Sequence, residues 1–329
     1  MRTISPTATR RFDGRVTAVR GWAGGWLVMG PAPGLVVVDR ALATVATVAV
    51  TAADAALDAA GARLIVAADG GLRAWTGPGY ARRGWDVDDA AATCRLGVDD
   101  ARLWTAAASD DAVLVTVRDP ATGDARGEVR LDDPFGGAAV MLWRHPDPAC
   151  VVASIAAGQD GQAAYLIRDD GGVVTAREVP PRDRLPPVFT ATGDAYLSGD
   201  ADALEHRAWP SGDVLGEAAW SWDDDVEVDD PAGEDLQDLG GGFASWASEH
   251  GRLYAVDLAR MERVDEIVIE GHPVVPLATR YPALAGDLTP CGDLRWSAPG
   301  PVGLIATVHG DATLAVSRVD DWRPPGASR

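Results

Sequence analysis

The 329 residues carry a formal net charge of −20, with 49 acidic against 29 basic side chains, and 47% are hydrophobic. The carboxylate excess argues against nucleic acid and anionic membranes as partners, since both call for a basic face. No apolar run approaches the roughly 18 residues of a membrane-crossing helix.

Every basic residue other than the five histidines is arginine, and neither lysine nor asparagine occurs. That removes a P-loop lysine, a Schiff-base lysine and any N-glycosylation acceptor. Both missing residues have A-rich codons, so the bias is that of a GC-rich, bacterial genome. Cys94, Cys150 and Cys291 are odd in number and widely spaced, which is neither a disulfide framework nor a zinc pattern. They read as small buried residues. The opening "MRTISPTATRRFDG" lacks the apolar core of a secretory signal, so a cytoplasmic location is expected.

Along the chain, apolar runs of five to eight residues alternate with Gly, Asp and Pro, the pattern of many short strands. "GGWLVMGPAPGLVVVDR" (24–40) is a strand, a turn and a strand; "VTAVRGW" precedes it and "ATVATVAV" follows. The Ala-rich "TAADAALDAAGA" (51–62) could pass for a helix, but it is short and lies between strand-like runs. "GARLIVAADGGLRAWTG" (61–77) is a hairpin whose turn contains Asp69 and whose second strand ends at Trp75. The same unit recurs at 100–124, 149–172, 193–213, 241–260 and 302–322.

One apolar anchor marks each unit: Leu27, Leu64, Leu103, Val152, Tyr196, Phe243 and Leu304. Their mean spacing is about 46 residues, the period of a four-stranded propeller blade. The expected fold is therefore all-β: one domain over 1–329, a seven-bladed β-propeller of four-stranded blades. The chain runs out after the last hairpin, so blade 7 lacks an outer strand. "RTISPTATRRF" is expected to supply it and to close the ring. Segments 223–238 and 273–291 are excursions from the repeat. Trp26, Trp75, Trp104 and Trp143 fall in strands, where they would pack between blades.

The repeats resemble those of the WD40 family. "ADGGLRAWTG" (68–77) is similar to the end of such a repeat, and "SDDAVLVTVRDPATGD" (109–124) keeps the cadence, with Val117 in the Trp place and Asp119 two residues on. "EGHPVV" (270–275) matches the opening Gly-His. The resemblance implies a ring that serves as an interaction platform. The hydrogen-bonded His-Ser-Asp network of regular repeats is not encoded in most blades.

The leading functional expectation is a protein-interaction scaffold that binds another protein, one with a basic surface, through one loop face. Its candidate contacts are Trp220, Trp222, Asp223, Asp224, Asp225, Glu227, Asp229, Asp230, Glu234, Asp235 and Trp246. Carboxylates attract a basic partner and exposed tryptophans anchor interfaces. The alternative is a propeller enzyme of lyase or hydrolase type, or a small-molecule binder, using histidines that the strand map brings to one face. His250, His272 and His309 are its catalytic candidates, and with Glu249 and Asp311 they are weak ligands for a divalent cation. Streptogramin lyases are a seven-bladed analogy for such a site. No cofactor is expected under the leading reading. His145 and His206 receive no role.

Overall fold

The computed structural model describes residues 2–31, 34–68, 70–109, 112–132, 139–156, 161–181, 187–199, 203–219, 237–240, 242–247, 253–271, 294–299, 303–309 and 312–322. Two short strands open the chain, β1 (Arg2–Ile4) and β2 (Ala8–Arg11). Blade 1 follows as β3 (Ala18–Trp22), β4 (Gly25–Met29), β5 (Leu35–Asp39) and β6 (Thr44–Val48). Blade 2 is β7 (Asp54–Leu57), β8 (Arg63–Ala68), β9 (Gly71–Thr76) and β10 (Arg82–Asp88). Blade 3 is β11 (Thr93–Leu96), β12 (Leu103–Ser109), β13 (Ala112–Arg118) and β14 (Ala125–Asp132). Blade 4 is β15 (Ala139–Arg144), β16 (Cys150–Ala156), β17 (Gln162–Asp170) and β18 (Val173–Val179). Blade 5 is β19 (Val188–Phe189), β20 (Ala195–Gly199), β21 (Ala203–Ala208) and β22 (Val214–Ala219). Blade 6 is β23 (Gln237–Gly240), β24 (Phe243–Ala247), β25 (Leu253–Asp257) and β26 (Glu262–Ile269). Blade 7 has three strands of its own, β27 (Leu294–Pro299), β28 (Leu304–His309) and β29 (Thr313–Arg318), and a short helix follows at Val319–Trp322.

Each blade is an antiparallel meander, and the seven form a ring. The first strands of neighbouring blades touch one another around the axis, as β7 does with β3 and β11, and β11 with β15. All seven apolar anchors lie in second strands. The Ala-rich 51–62 stretch holds β7, the inner strand of blade 2. Helical propensity gives way there because the inner edge of β8 takes up the backbone hydrogen bonds of residues 54–57.

Burial grades outward from the axis. The second strands are covered on both sides by neighbouring blades: β4 is buried at all five positions and β16 at six of its seven. Their sequences accordingly read as unbroken apolar runs. The fourth strands lie at the rim. β14 (ARGEVRLD) and β18 (VVTAREV) are mostly exposed and carry Arg and Glu, which discourages pairing of their free edges with another chain.

Seven apolar clusters match the seven blade interfaces among the described residues. Trp26, Val28 and Val38 meet Ala306, Val308 and Leu314 between blades 1 and 7. Leu27 and Met29 meet Leu57, Leu64 and the partly buried Trp75 between blades 1 and 2. Trp104 packs between blades 3 and 4, and Trp143 between blades 4 and 5. The four strand tryptophans thus serve as packing residues. Cys94 and Cys150 are buried free thiols; Cys291 and Asp69 lie outside the described residues.

The third-to-fourth strand turns explain the acidic exits of the repeats. Asp39, Asp119 and Asp257 each fold a carboxylate oxygen back onto the amide two residues on, that of Ala41, Ala121 and Ala259 respectively. Such a contact replaces a backbone turn bond.

The N-terminal segment closes the ring as expected, and it does more. β2 supplies the missing outer strand of blade 7, pairing antiparallel with β29 from Ala8↔Val316 to Arg11↔Thr313. Ahead of it, β1 adds a fifth strand to blade 6, parallel to β26 from Arg2↔Ile267 to Ile4↔Ile269. Outer strands of adjacent blades run in the same direction. A segment that is outermost in blade 7 therefore meets β26 in parallel. Arg2 bonds Asp265 at 2.9 Å, Ile4 is buried between blades 6 and 7, and Phe12 is buried between blades 7 and 1.

Candidate functional site

Most residues singled out in the sequence lie outside the described residues. These are Trp220, Trp222, Asp223, Asp224, Asp225, Glu227, Asp229, Asp230, Glu234 and Asp235, together with Glu249, His250, His272 and Asp311. Trp246 falls in β24, opposite Tyr254 in register. His309 is the last residue of β28 and is buried, with Nε2 2.8 Å from Thr307 Oγ1. It therefore belongs to the strand, although a histidine followed by Gly310 and Asp311 reads as part of a turn. Among the described residues, no group of three His, Cys, Asp or Glu side chains is placed to hold a metal ion.

Two polar constellations went unread in the sequence. The first ties the inner strands of blades 1, 2 and 3 together. Asp54, 2% exposed, is the first residue of β7. Its Oδ1 accepts from Arg20 Nε of β3 at 3.2 Å and from the Ala55 amide at 2.9 Å. Its Oδ2 accepts from three donors of β11: Thr93 Oγ1 at 2.6 Å, the Cys94 amide at 3.1 Å and Arg95 Nη1 at 2.5 Å. Burial alone would raise the Asp54 pKa, but Arg95, Arg20 and the hydrogen bonds outweigh it and hold the carboxyl below its ordinary value. Arg95 is itself lowered to about 10, by burial and by repulsion from Arg20.

The second is a recess of about 330 Å³ between blades 4 and 5. It opens on the face that carries the first-to-second and third-to-fourth strand turns. Its walls come from the turn after β15 (His145, Pro146, Asp147), from Cys150, Leu166 and Arg168 of blade 4, and from residues 191–193 and Trp209 of blade 5. His145 is 6% exposed, and its ring stands edge-on to Phe189 with centroids 4.5 Å apart. Nδ1 accepts the Asp147 amide proton at 3.0 Å. Asp147 Oδ1 accepts from the Ala149 amide at 2.9 Å, and its Oδ2 pairs with Arg168 Nη1 at 2.8 Å. Arg168 Nε also bonds Asp170 at 2.9 Å. Cys150 lies beside Arg168, and burial pushes its thiol pKa up to about 11, so it stays protonated at neutral pH.

Burial lowers the His145 pKa below the ordinary imidazole value, more than the Asp147 carboxylate raises it. The unfolded chain therefore takes up this proton near pH 6.5, while the folded chain waits for a lower pH. Stability is complete above about pH 6.5 and is lost as pH falls from there to the depressed folded value. Urea unfolding at pH 7 and pH 5 should show that loss, and His145→Phe should shrink it. An equal pH slope in the variant would assign the loss to other groups.

No family model matches the chain, and no curated protein does. Solved structures do match in fold. BamB from Moraxella catarrhalis aligns over 96% of this chain and 99% of its own, at 12% identity and a TM-score of 0.61. The β-propeller domain of Cps50 (Swd1) from Myceliophteria thermophila aligns over 94% and 99%, at 11% identity and a TM-score of 0.63. At such identities the likeness establishes the fold: the chain is a seven-bladed β-propeller.

Proposed function

We propose that the protein is an interaction scaffold that presents an acidic segment to a partner protein with a basic surface. The observation that carries this reading is where the acidic run is inserted. Residues 223–235 connect β22, the outer strand of blade 5, to β23, the inner strand of blade 6. Both strands belong to the closed ring, so the run is tethered at each end to adjacent blades. β23 begins at Gln237, so the last two residues of the 223–238 excursion already belong to the blade.

The chemistry supports such a role. Clustered carboxylates steer and orient a cationic partner, and Trp220, Trp222 and Trp246 supply the kind of side chain that dominates binding energy at interfaces. A propeller fold licenses no particular chemistry by itself, so the reading rests on these residues. Affinity capture from the native host, with the intact chain and with one lacking residues 223–235, tests it. A partner retained by the first and lost by the second supports the reading. Equal capture by both overturns it.

A further inference from the structure

We propose that the inner wall of the ring, where blades 1, 3 and 4 present Arg20, Arg95 and Arg144, binds a small, multiply charged oxyanion of the phosphate type. Blades 1 to 4 carry this site, so it stands apart from residues 220–246, on which the scaffold reading rests.

The three arginines come from inner strands around the axis. Arg20 is the third residue of β3, Arg95 the third of β11 and Arg144 the last of β15. β7 touches β3 on one side and β11 on the other, and β11 touches β15. Asp54 of β7 fixes the spacing of the first two: Arg20 Nε and Arg95 Nη1 hold the two oxygens of its one carboxylate at 3.2 and 2.5 Å. Arg144 is close enough to Arg95 to add to the burial and the Arg20 repulsion that lower its pKa.

Their donors are only partly used. Arg20 also gives Nη1 to the Val19 carbonyl, and Arg95 gives Nη1 to that of Cys94. Among the described residues, Arg20 Nη2, Arg95 Nε and Arg95 Nη2 find no acceptor, and Arg144 makes no hydrogen bond or ion pair. None of the unused nitrogens of Arg20 and Arg95 is sealed from solvent, and Arg144 is exposed. The protein packed around Arg144 nevertheless lowers its pKa by desolvation, with the Asp100 carboxylate working the other way. A guanidinium that water reaches and protein still desolvates lines a concavity, here the axial channel of the ring.

The charges on this wall favour an anion. Asp54 offsets one of the three guanidiniums, and its oxygens already accept from β3, β7 and β11. Asp100, in the turn after β11, offsets part of the Arg144 charge while its Oδ2 accepts from the Ala59 amide at 2.6 Å. Three arginines less Asp54 leave two positive charges, and less Asp100 one, in a chain whose net charge is −20. Arginine does not shed its proton to relieve this excess. An oxyanion does relieve it, because two of its oxygens match the fork of a guanidinium. More than one arginine at the wall favours a doubly charged ligand over a singly charged one.

Inorganic phosphate is the probe and acetate the singly charged control, each titrated calorimetrically into the whole protein at pH 7 and constant ionic strength. The expected result is one saturable phosphate per chain with a millimolar or tighter Kd, and acetate about tenfold weaker or more. Arg144→Gln should weaken phosphate by about tenfold or more. Arg168→Gln, at an exposed arginine already paired with Asp147 and Asp170, should leave it unchanged. Absence of saturable phosphate binding, equal affinity for acetate, or undiminished affinity in Arg144→Gln would each overturn the proposal. Thermal unfolding in chloride shows whether Arg144→Gln is folded. Arg144→Lys keeps the charge and loses the fork, so it carries the test should the glutamine variant fail to fold. Its phosphate affinity should fall below that of the intact chain, and an equal affinity would overturn the proposal.

Discussion

Replacing Asp54 by alanine is expected to destabilise the fold by about 3–5 kcal/mol, the usual cost of removing one partner from a buried ion pair. The carboxylate accepts from β3, β7 and β11 at once, and it is 2% exposed. Its loss leaves Arg20 and Arg95 facing each other across the inner strands, with Arg144 near enough to add to the repulsion on Arg95. Arg20 is partly exposed, and Arg20→Gln leaves the shorter Arg95 contact intact; its cost should stay near 1 kcal/mol. The Asp54 pKa is depressed in the fold, so its contribution holds above about pH 4 and fades as pH falls through the depressed value. Urea unfolding at pH 7 measures both variants. A loss below about 1 kcal/mol for Asp54→Ala would show that the three-strand tie contributes little.

Removing residues 2–12 is expected to open the ring. The deletion takes away β1 and β2, the antiparallel pairing with β29 and the parallel pairing with β26. It also removes the buried side chains of Ile4 and Phe12. Phe12→Ala alone should cost about 3–5 kcal/mol and Ile4→Ala about 2–5 kcal/mol. The truncated chain also exposes the edge of β29, an invitation to pairing between molecules. It should lose cooperative unfolding or associate, as read by denaturation and by light scattering. Addition of the separate 2–12 peptide should restore the monomer. An unchanged midpoint and a monomeric truncated chain would contradict closure by this segment.

Much of this architecture is legible in the sequence, because a propeller repeats one physical problem seven times. A strand covered by blades on both sides must be apolar throughout, hence "GWLVM" and "CVVASIA". A rim strand must not, hence "ARGEVRLD". The extended, alternating "RTISPTATRRF" ahead of blade 1 has no hairpin partner of its own, and in the fold it supplies the fourth strand of blade 7. The parallel pairing of β1 is less visible. It depends on the shared direction of outer strands in adjacent blades, which three residues cannot signal.

The polar sites are harder to read for a common reason: their partners come from other blades. Asp54 sits in an Ala-rich stretch as an ordinary acid, and its donors Arg20 and Arg95 are 34 and 41 residues away. His145 stands in "RHPDPAC", where the acid two residues on hints at a local turn. Its burial comes from Phe189 of the next blade, which no local pattern encodes. His309 shows the opposite error. A histidine before Gly310 and Asp311 reads as part of a turn, yet strand pairing with Thr313 and burial between blades place it inside.

If residues 223–235 hold a basic partner against the ring, capture at two ionic strengths shows it most directly. The intact chain should retain a partner at low salt and release much of it near 1 M salt, where screening shortens electrostatic reach to about 3 Å. The chain lacking 223–235 should fail to retain that partner at either salt while unfolding at the same midpoint as the intact protein. Retention of the same partner by both chains, unaffected by salt, would contradict the account.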